Sequence, residues 1–189
     1  MRLHRTITPD RPLLVVALEE EAAHLHISGL PILITGAGKV NAAVSLATTL
    51  ATASPSEVIN LGTAGALRPG IQGTHLITTV TQHDLDDAAL FALTGLHFSE
   101  PIHLAQEGAV LTTGDAFIAD ESRRAELAAH ADLVDMEGYA IARVCQVLDV
   151  PVRLVKQVSD QADGSAGKSW GATVDECAEV LGTWVRENI

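Results

Sequence analysis

The stretch DLVDMEGYAIARVC, residues 132–145, decides the fold class of this chain. Its second half is typical of a core helix, with apolar residues such as Ala140 and Ile141 at helical spacing. Its first half is typical of a short buried strand, yet it carries two acids, Asp135 and Glu137, inside an apolar frame. A strand that passes directly into a core helix is the repeating unit of α/β proteins. Two carboxylates at that junction raise the question of a functional site.

The composition favours a layered α/β protein that forms one domain over residues 1–189. Apolar residues make up 47% of the chain and aromatic residues only 3%, so small aliphatic side chains must form the core. A chain of 189 residues is long enough to bury a substantial core. No internal repeat or low-complexity linker divides it.

The charge excludes several partners. With a formal net charge of −12 and an isoelectric point of about 4.9, the surface repels nucleic acid and anionic lipid. No apolar run approaches the roughly 20 residues of a membrane span, and the N-terminus lacks the apolar segment of a signal peptide. The two cysteines, Cys145 and Cys177, are too few for a disulfide framework. We therefore expect a cytoplasmic protein that binds neither nucleic acid nor membranes.

Strand and helix patterns alternate along the chain, which favours a mostly parallel, three-layer α/β/α arrangement. Short apolar β-rich runs predict the strands, and longer segments of helical periodicity predict the helices. The segment 84–107 has the weakest pattern and is interpreted as a loop or lid. The predicted strands are 12–18, 30–38, 57–67, 73–84, 108–115, 131–137 and 151–160, and the predicted helices are 19–26, 39–52, 121–130, 138–149 and 171–188.

Acidic residues follow three of the predicted strands. They are the run Glu19 to Glu21, the pair Asp135 and Glu137, and Asp160. Ligands of open α/β sheets bind outside the carboxyl ends of the strands, so these acids are expected to converge on one cleft. Each acid alone also fits a solvated first helical turn, favoured by the helix dipole, or an N-cap.

Two other motifs give weaker signals. The glycines of TGAGKVNAA, residues 35–43, stand between a strand and a helix, where a phosphate can bind. The spacing is neither that of a P-loop nor a full dinucleotide fingerprint, so close backbone packing or approach to a small ligand is favoured. The segment HDLDD, residues 83–87, with His24 and His26, lacks the spacing of known metal ligands. Neither a metal nor a cofactor is predicted.

Seven stretches carry a family resemblance over nearly the whole chain. Together they resemble the purine nucleoside phosphorylase superfamily, and within it the methylthioadenosine/S-adenosylhomocysteine nucleosidases. The resemblance implies an α/β/α sandwich around a mixed, partly closed sheet, smaller than typical because a pair of strands after residue 26 is almost absent. The stretches, in order, are VALEEEAAHL, ITGAGKVNAA, VINLGTAGAL, QHDLD, TTGDAFIAD, LVDMEGYAIARVC and KQVSDQAD.

The resemblance implies a role for each acid. Asp160 matches the general acid that protonates N7 of the leaving adenine, a role that needs a raised pKa at neutral pH. Glu21 matches the residue that activates the attacking water. Glu137 matches the carboxylate that binds the ribose hydroxyls, and Met136 is expected to pack on the sugar.

Further residues are expected to contact the substrate by the same resemblance. Phe117 matches the residue that packs on the purine, while backbone groups of Ile118 bind the edge of the base. Thr63 matches a small hydroxyl residue near the sugar and nucleophile, and Ser159 precedes the general acid. Trp170 stands where the family has an aromatic residue that closes over the ligand, although a core residue at a helix start fits it equally well.

Hydrolysis is favoured over phosphorolysis. Related phosphorylases carry an arginine just before the GT of the third stretch, where this chain has Asn60 and Leu61. A phosphate dianion is normally held by arginines, so water is the expected nucleophile. Lys156 stands where nucleosidases often have arginine. We expect a homodimeric nucleosidase acting on a purine nucleoside, with contacts through DAALFALTGLHF, residues 87–98. A phosphate-dependent phosphorylase and a non-catalytic nucleoside-binding protein are the alternatives.

Overall fold

The computed structural model describes residues 1–189, which form nine strands, six α-helices and one 3-10 turn at His26–Ser28. The strands are β1 Arg2–His4, β2 Leu13–Val16, β3 Ile32–Ile34, β4 Val58–Ala66, β5 Thr74–Gln82, β6 Ile102–His103, β7 Ala109–Thr113, β8 Leu133–Asp135 and β9 Val152–Asp160. The helices are α1 Glu19–Ala22, α2 Lys39–Leu50, α3 Asp87–Thr94, α4 Glu121–Ala128, α5 Gly138–Val147 and α6 Ala166–Asn188.

Five strands close into a ring. Going around it, the order is β4, β8, β7, β5 and β9, and β9 pairs back onto β4. The pairs β4–β9, β5–β7 and β7–β8 are parallel, while β4–β8 and β5–β9 are antiparallel. The mixed, partly closed sheet is therefore confirmed. The expectation of a mostly parallel sheet is corrected at these two ring pairs and at the antiparallel pairs β1–β3 and β5–β6.

An open wing of three strands extends from the ring. The first half of β4 pairs with β2, which pairs with β3, and β3 pairs with β1 at the outer edge. The second half of β4 pairs with β8 instead, and a register shift between Ala64 and Gly65 marks the bend. Because β4 belongs to both parts, side chains that follow the wing strands lie close to those that follow the ring strands.

Helices cover both faces of the wing, which confirms the three-layer arrangement. Helices α2 and α5 pack on one face, and α1 and α6 pack on the other. The low aromatic content suits this core, because aliphatic side chains fill both layers. The first layer includes Leu13, Val15, Leu33, Leu46, Ile141 and Cys145, and the second includes Leu14, Val16, Leu25, Ile59, Leu61, Leu181 and Val185. None of the helices combines the length and hydropathy needed to cross a membrane.

Several local predictions were wrong in extent, including three helical segments. The helix predicted at 19–26 ends at Ala22, and residues 23–25 form a turn that leads to the 3-10 turn at His26–Ser28. The segment 84–107, interpreted as a loop, contains α3 and β6, and the Asp86 side chain caps α3 by accepting from Ala89 N. Helix α6 begins at Ala166 rather than at residue 171, although glycine and serine in this segment disfavour a helix locally.

Candidate active site

The carboxyl ends of β2, β3, β7, β8 and β9 surround one cavity of about 230 Å³. All nine residues predicted from the sequence line it, although they come from widely separated segments. Alanine, valine and glycine residues fill much of the remaining wall, and no arginine lines the cavity. The nine residues are Glu21, Thr63, Phe117, Ile118, Met136, Glu137, Ser159, Asp160 and Trp170.

Glu21 is held by four hydrogen bonds. Its Oε2 accepts from the backbone N–H groups of Ala17 and Leu18 at 3.0 and 3.2 Å. Its Oε1 accepts from the backbone N–H and the hydroxyl of Thr63 at 2.9 and 3.1 Å. The side chain is buried, with 5% exposure. These donors fix the carboxylate plane at the cavity wall.

The two neighbouring acids of the same run point elsewhere. Glu19 and Glu20 are exposed and do not line the cavity, and Glu19 forms an ion pair with Arg2. Successive helical residues turn by about 100°, so three consecutive acids cannot share one direction. Only Glu21 of the run is placed to act inside the cavity.

Glu137 lies on another wall of the cavity and accepts fewer hydrogen bonds than Glu21. Its Oε1 accepts from the backbone N–H of Gly38 at 2.7 Å, at the start of α2. Gly38 has a φ of +91°, a conformation that favours glycine, so this N–H is aimed by the glycine loop. Burial, together with the charge of Asp135, raises the pKa of Glu137 to about 8. Glu137 therefore retains acceptor capacity toward the cavity.

Behind Glu137 lies a buried ion pair that the sequence analysis did not identify. Lys156 Nζ is 2.8 Å from Asp135 Oδ2, and both side chains are almost fully buried. Burial opposes the charged lysine, but the charges of Asp135, Glu137 and Glu21 outweigh it and raise the pKa of Lys156. The only sequence signal was Lys156 itself, a lysine four residues before Asp160 on a predicted strand.

Asp135 also organises the backbone around this wall. Its Oδ2 accepts from Gly138 N at 2.9 Å, at the start of α5, and its Oδ1 accepts from the Thr113 hydroxyl at 2.6 Å. The Thr113 hydroxyl in turn accepts from Tyr139 N at 2.9 Å. The acid thus connects β7, β8, β9 and α5 at one point.

Asp160 lies on a third wall, at the end of β9. Its Oδ2 accepts from the Ser159 hydroxyl at 2.8 Å, and its Oδ1 accepts from Ala162 N at 2.8 Å. Ala162 is fully buried with a φ of +50°, an uncommon conformation for a residue with a side chain. The turn at Ala162 directs its N–H at the carboxylate and fixes Asp160.

The loop that carries Phe117 and Ile118 is tied to α2 and to the end of β5. Asp115 Oδ1 accepts from Lys39 N, and Asp115 N donates to Asp84 Oδ2, both at 2.8 Å. Lys39 also forms an ion pair with Asp84. Ile118 is buried, whereas Phe117 is 51% exposed at the cavity. The Phe117 ring is therefore available to an incoming ligand.

The chain is similar to known proteins in sequence and in fold. The family model of the phosphorylase superfamily matches residues 24–186. The 5′-methylthioadenosine/S-adenosylhomocysteine nucleosidase of Staphylococcus carnosus is 32% identical over 77% of this chain and 75% of its own length.

Two solved structures share the fold. A mutant futalosine hydrolase of Helicobacter pylori superposes with a TM-score of 0.84 and 21% identity, covering 94% of this chain and 97% of the other. A Helicobacter pylori MTAN mutant with 5′-methylthioadenosine in its active site gives a TM-score of 0.80 at 21% identity, covering 95% and 98%. At this identity the likeness establishes the architecture.

Proposed function

We propose that this chain, which belongs to the phosphorylase superfamily, acts on a purine nucleoside of the 5′-methylthioadenosine or S-adenosylhomocysteine type. The chain is a nucleosidase, that is, a hydrolase of N-glycosyl bonds. The observation that carries this proposal is the placement of Glu21, Glu137 and Asp160 on three walls of one cavity. Cleavage of an N-ribosidic bond develops positive charge on the sugar and negative charge on the base. Carboxyl groups on separate walls can serve both needs.

In the proposed reaction, Asp160 donates its proton to N7 of the departing purine as the bond between the sugar carbon and the base breaks. The bond electrons pass to the base, which leaves as the neutral purine. Glu21 accepts a proton from water as the water oxygen bonds to the sugar carbon. Glu137 accepts hydrogen bonds from the ribose hydroxyls. Proton exchange with solvent then restores Asp160 and Glu21.

The remaining lining residues would position the substrate. Phe117 packs on the purine face, and backbone groups of Ile118 bind the base edge. Met136 packs on the sugar, and Trp170 covers the ligand. Ser159 holds Asp160 and contacts the substrate.

The charge of the cavity favours water over phosphate as the nucleophile. A phosphate dianion requires cationic donors, normally arginines, and the lining contains none. Lys156 is already engaged by Asp135. Phosphorolysis would place a dianion among three acids, whereas water needs only an acceptor for its proton.

The test measures release of free base from methylthioadenosine, adenosylhomocysteine and a futalosine-type nucleoside, with and without phosphate. We expect release without phosphate. Strict phosphate dependence would indicate a phosphorylase, and binding without release would indicate a non-catalytic nucleoside-binding protein.

A variant pair separates the general acid from the fold. Asp160→Asn should lower turnover by about 100-fold to 10,000-fold, because the leaving group loses its proton donor. Asp163→Asn is the matched control, since Asp163 is three residues further along and does not line the cavity. An Asp160→Asn variant within a few-fold of the parent protein would remove Asp160 from the mechanism.

We also propose a homodimer that works in the cytoplasm. Exposed apolar side chains cluster in and after α3, including Phe91, Leu93, Leu96 and Phe98. Such a cluster is typical of a contact surface. Both cysteines are free and buried, which suits a reducing compartment. Light scattering at micromolar concentration should give the mass of a dimer, and a monomer mass would contradict this proposal.

A further inference from the structure

A line of two hydrogen bonds joins Trp170 to Glu21 through Thr63. The indole Nε1–H of Trp170 donates to Thr63 Oγ1 at 3.0 Å, and Thr63 Oγ1 donates to Glu21 Oε1 at 3.1 Å. We propose that Trp170 is a positioning residue for Glu21, acting through its indole N–H in addition to covering the ligand. This inference rests on the proposed role of Glu21 as the acceptor of the water proton.

The direction of the two hydrogen bonds follows from the donors. An indole N–H can only donate, whereas a threonine hydroxyl rotates and has one proton and two lone pairs. Once the Trp170 N–H occupies a lone pair of Thr63 Oγ1, the hydroxyl proton is directed to an acceptor on the other side. Glu21 Oε1 is that acceptor, and it also accepts from Thr63 N. Trp170 therefore fixes the rotation of the hydroxyl that holds the carboxylate.

The start of α6, which carries Trp170, also contacts the wall of the cavity that holds Asp160. Trp170 lies near the start of α6, where the Thr173 hydroxyl is within hydrogen-bond distance of Ser159 O on β9, at 3.1 Å, and of Ser169 O in the helix, at 2.8 Å. Ser159 hydrogen-bonds Asp160. The start of α6 thus contacts the general-acid wall and, through Thr63, the Glu21 wall. A phenylalanine at position 170 would cover the ligand equally well but would lack the N–H.

The first test compares two tryptophan-to-phenylalanine variants on one helix. Trp170→Phe should lower kcat about tenfold while KM changes by less than about twofold, because one neutral hydrogen bond is lost without loss of apolar cover. Trp184→Phe is the matched control, since Trp184 packs against the core and over Arg153 away from the cavity. Its kcat should equal that of the parent. A parent-like kcat for Trp170→Phe, or a change confined to KM, would overturn the inference.

The second test asks whether Trp170 acts through Thr63. Thr63→Val removes the hydroxyl and retains the backbone N–H that binds Glu21. In the Thr63→Val background, Trp170→Phe should cause no further loss of kcat, because the connection is already broken. If Trp170→Phe lowers kcat by the same factor in both backgrounds, Trp170 acts only as a cover.

The third test reads the contact directly and controls for folding. The chain has two tryptophans, so Trp184→Phe leaves a single indole N–H signal in proton NMR. Thr63→Val in that background should shift this signal, and an unchanged signal would contradict the contact. If the parent protein releases no base, the proposed function and this inference both fail. If the parent is active and Trp170→Phe matches it, only the inference fails.

Discussion

Glu21 and Glu137 lie on different walls of the same cavity and are buried to similar extents, 5% and 9% exposed, but their surroundings differ sharply. Glu21 accepts four hydrogen bonds, three of them from backbone N–H groups. Glu137 accepts one, from Gly38, and has a second acid, Asp135, beside it. One carboxylate is oriented by several protein donors before any ligand arrives, and the other by a single donor.

This difference matches the two roles proposed for these residues, since Glu21 is held in a fixed orientation and Glu137 keeps acceptor positions for a ligand. A residue that must receive a proton from water benefits from a fixed orientation, since misplacement by about 1 Å can cost about 100-fold in rate. A residue that must bind two ribose hydroxyls needs unused acceptor positions instead. Burial and the neighbouring charge of Asp135 disfavour the ionised form of Glu137 and raise its pKa to about 8.

The largest expected effect is on catalysis at the fixed carboxylate. Glu21→Gln should lower single-turnover base release by about 100-fold to 10,000-fold, because the amide cannot accept the water proton. Binding of a non-hydrolysable analogue, measured by calorimetry, should change little, since ribose and base contact other walls.

Glu20→Gln is the matched control, because Glu20 is exposed on the same helix. Glu19→Gln should also be mild. If Glu19→Gln is inactive and Glu21→Gln is active, the water-activating role does not belong to Glu21.

The second effect concerns the cation behind the Glu137 wall. Lys156→Met should lower the free energy of unfolding by about 3–5 kcal/mol, because Asp135 is left as a buried unpaired charge. Lys168→Met, at an exposed position of α6, should change it little. Urea unfolding at pH 7 measures both. A Lys156→Met variant as stable as the parent would mean that water or a rearrangement satisfies Asp135.

The third effect is that replacing each of the two glutamates by glutamine should change the free energy of unfolding in opposite directions. Folding raises the pKa of Glu137 to about 8 from 4.5, so the stability associated with its protonated form is lost as the pH rises between these values. Glu137→Gln imitates the protonated form and should stabilise the protein by up to about 4 kcal/mol at pH 8, with little effect near pH 4. Glu21→Gln should instead destabilise it by about 1–3 kcal/mol, because the new amide N–H₂ faces N–H donors. If urea unfolding at pH 8 shows that both variants change the free energy of unfolding in the same direction, the contrast drawn between Glu21 and Glu137 is wrong.

The smallest effect is a proton released on binding. With a pKa of about 8, Glu137 is mostly protonated at pH 7 before a ligand binds, and hydrogen bonds from ribose hydroxyls favour its ionised form. Analogue binding should therefore release up to about one more proton in the parent than in Glu137→Gln. Calorimetry in buffers of different ionisation enthalpy measures this number. No difference between the two proteins would show that Glu137 does not ionise on binding.

The three acids of the cavity could be predicted from the sequence because they end or follow buried strands. Once β2, β8 and β9 were recognised as strands, the acids after them had to meet at one edge of the sheet. The family resemblance then distinguished Glu21 from Glu19 and Glu20, which the hydrophobic pattern alone could not do.

Lys156 could not be predicted as a buried residue, because a lysine within a strand normally indicates a solvated face. Its burial depends on long-range register: β9 pairs with β4 so that Lys156 lies opposite Gly62. A Cβ at position 62 would lie 3.4 Å from Lys156 Nζ and 3.2 Å from Glu21 Oε1. The space for the two charges therefore depends on a glycine in a neighbouring strand.

Ring closure was predicted by the family resemblance and not by the residue pattern, since it depends on register shifts at Ala64/Gly65 and Ile77/Thr79 that leave no local pattern. The start of α6 was missed for a related reason. Contacts with β9, such as the hydrogen bond from Thr173 to Ser159 O, override the poor helix propensity of that segment.

The closed ring also bears on how amide protons exchange with solvent. A strand inside a closed ring has hydrogen-bonded neighbours on both sides, whereas the wing ends at β1, which has a free edge. Local opening can begin at that edge and pass to β3 without disturbing the ring. Amides of β4 and β9 in the ring should then be among the slowest to exchange. Glu137 and Asp160 adjoin ring strands and would be held by this slowly exchanging region, whereas Glu21 follows the wing strand β2.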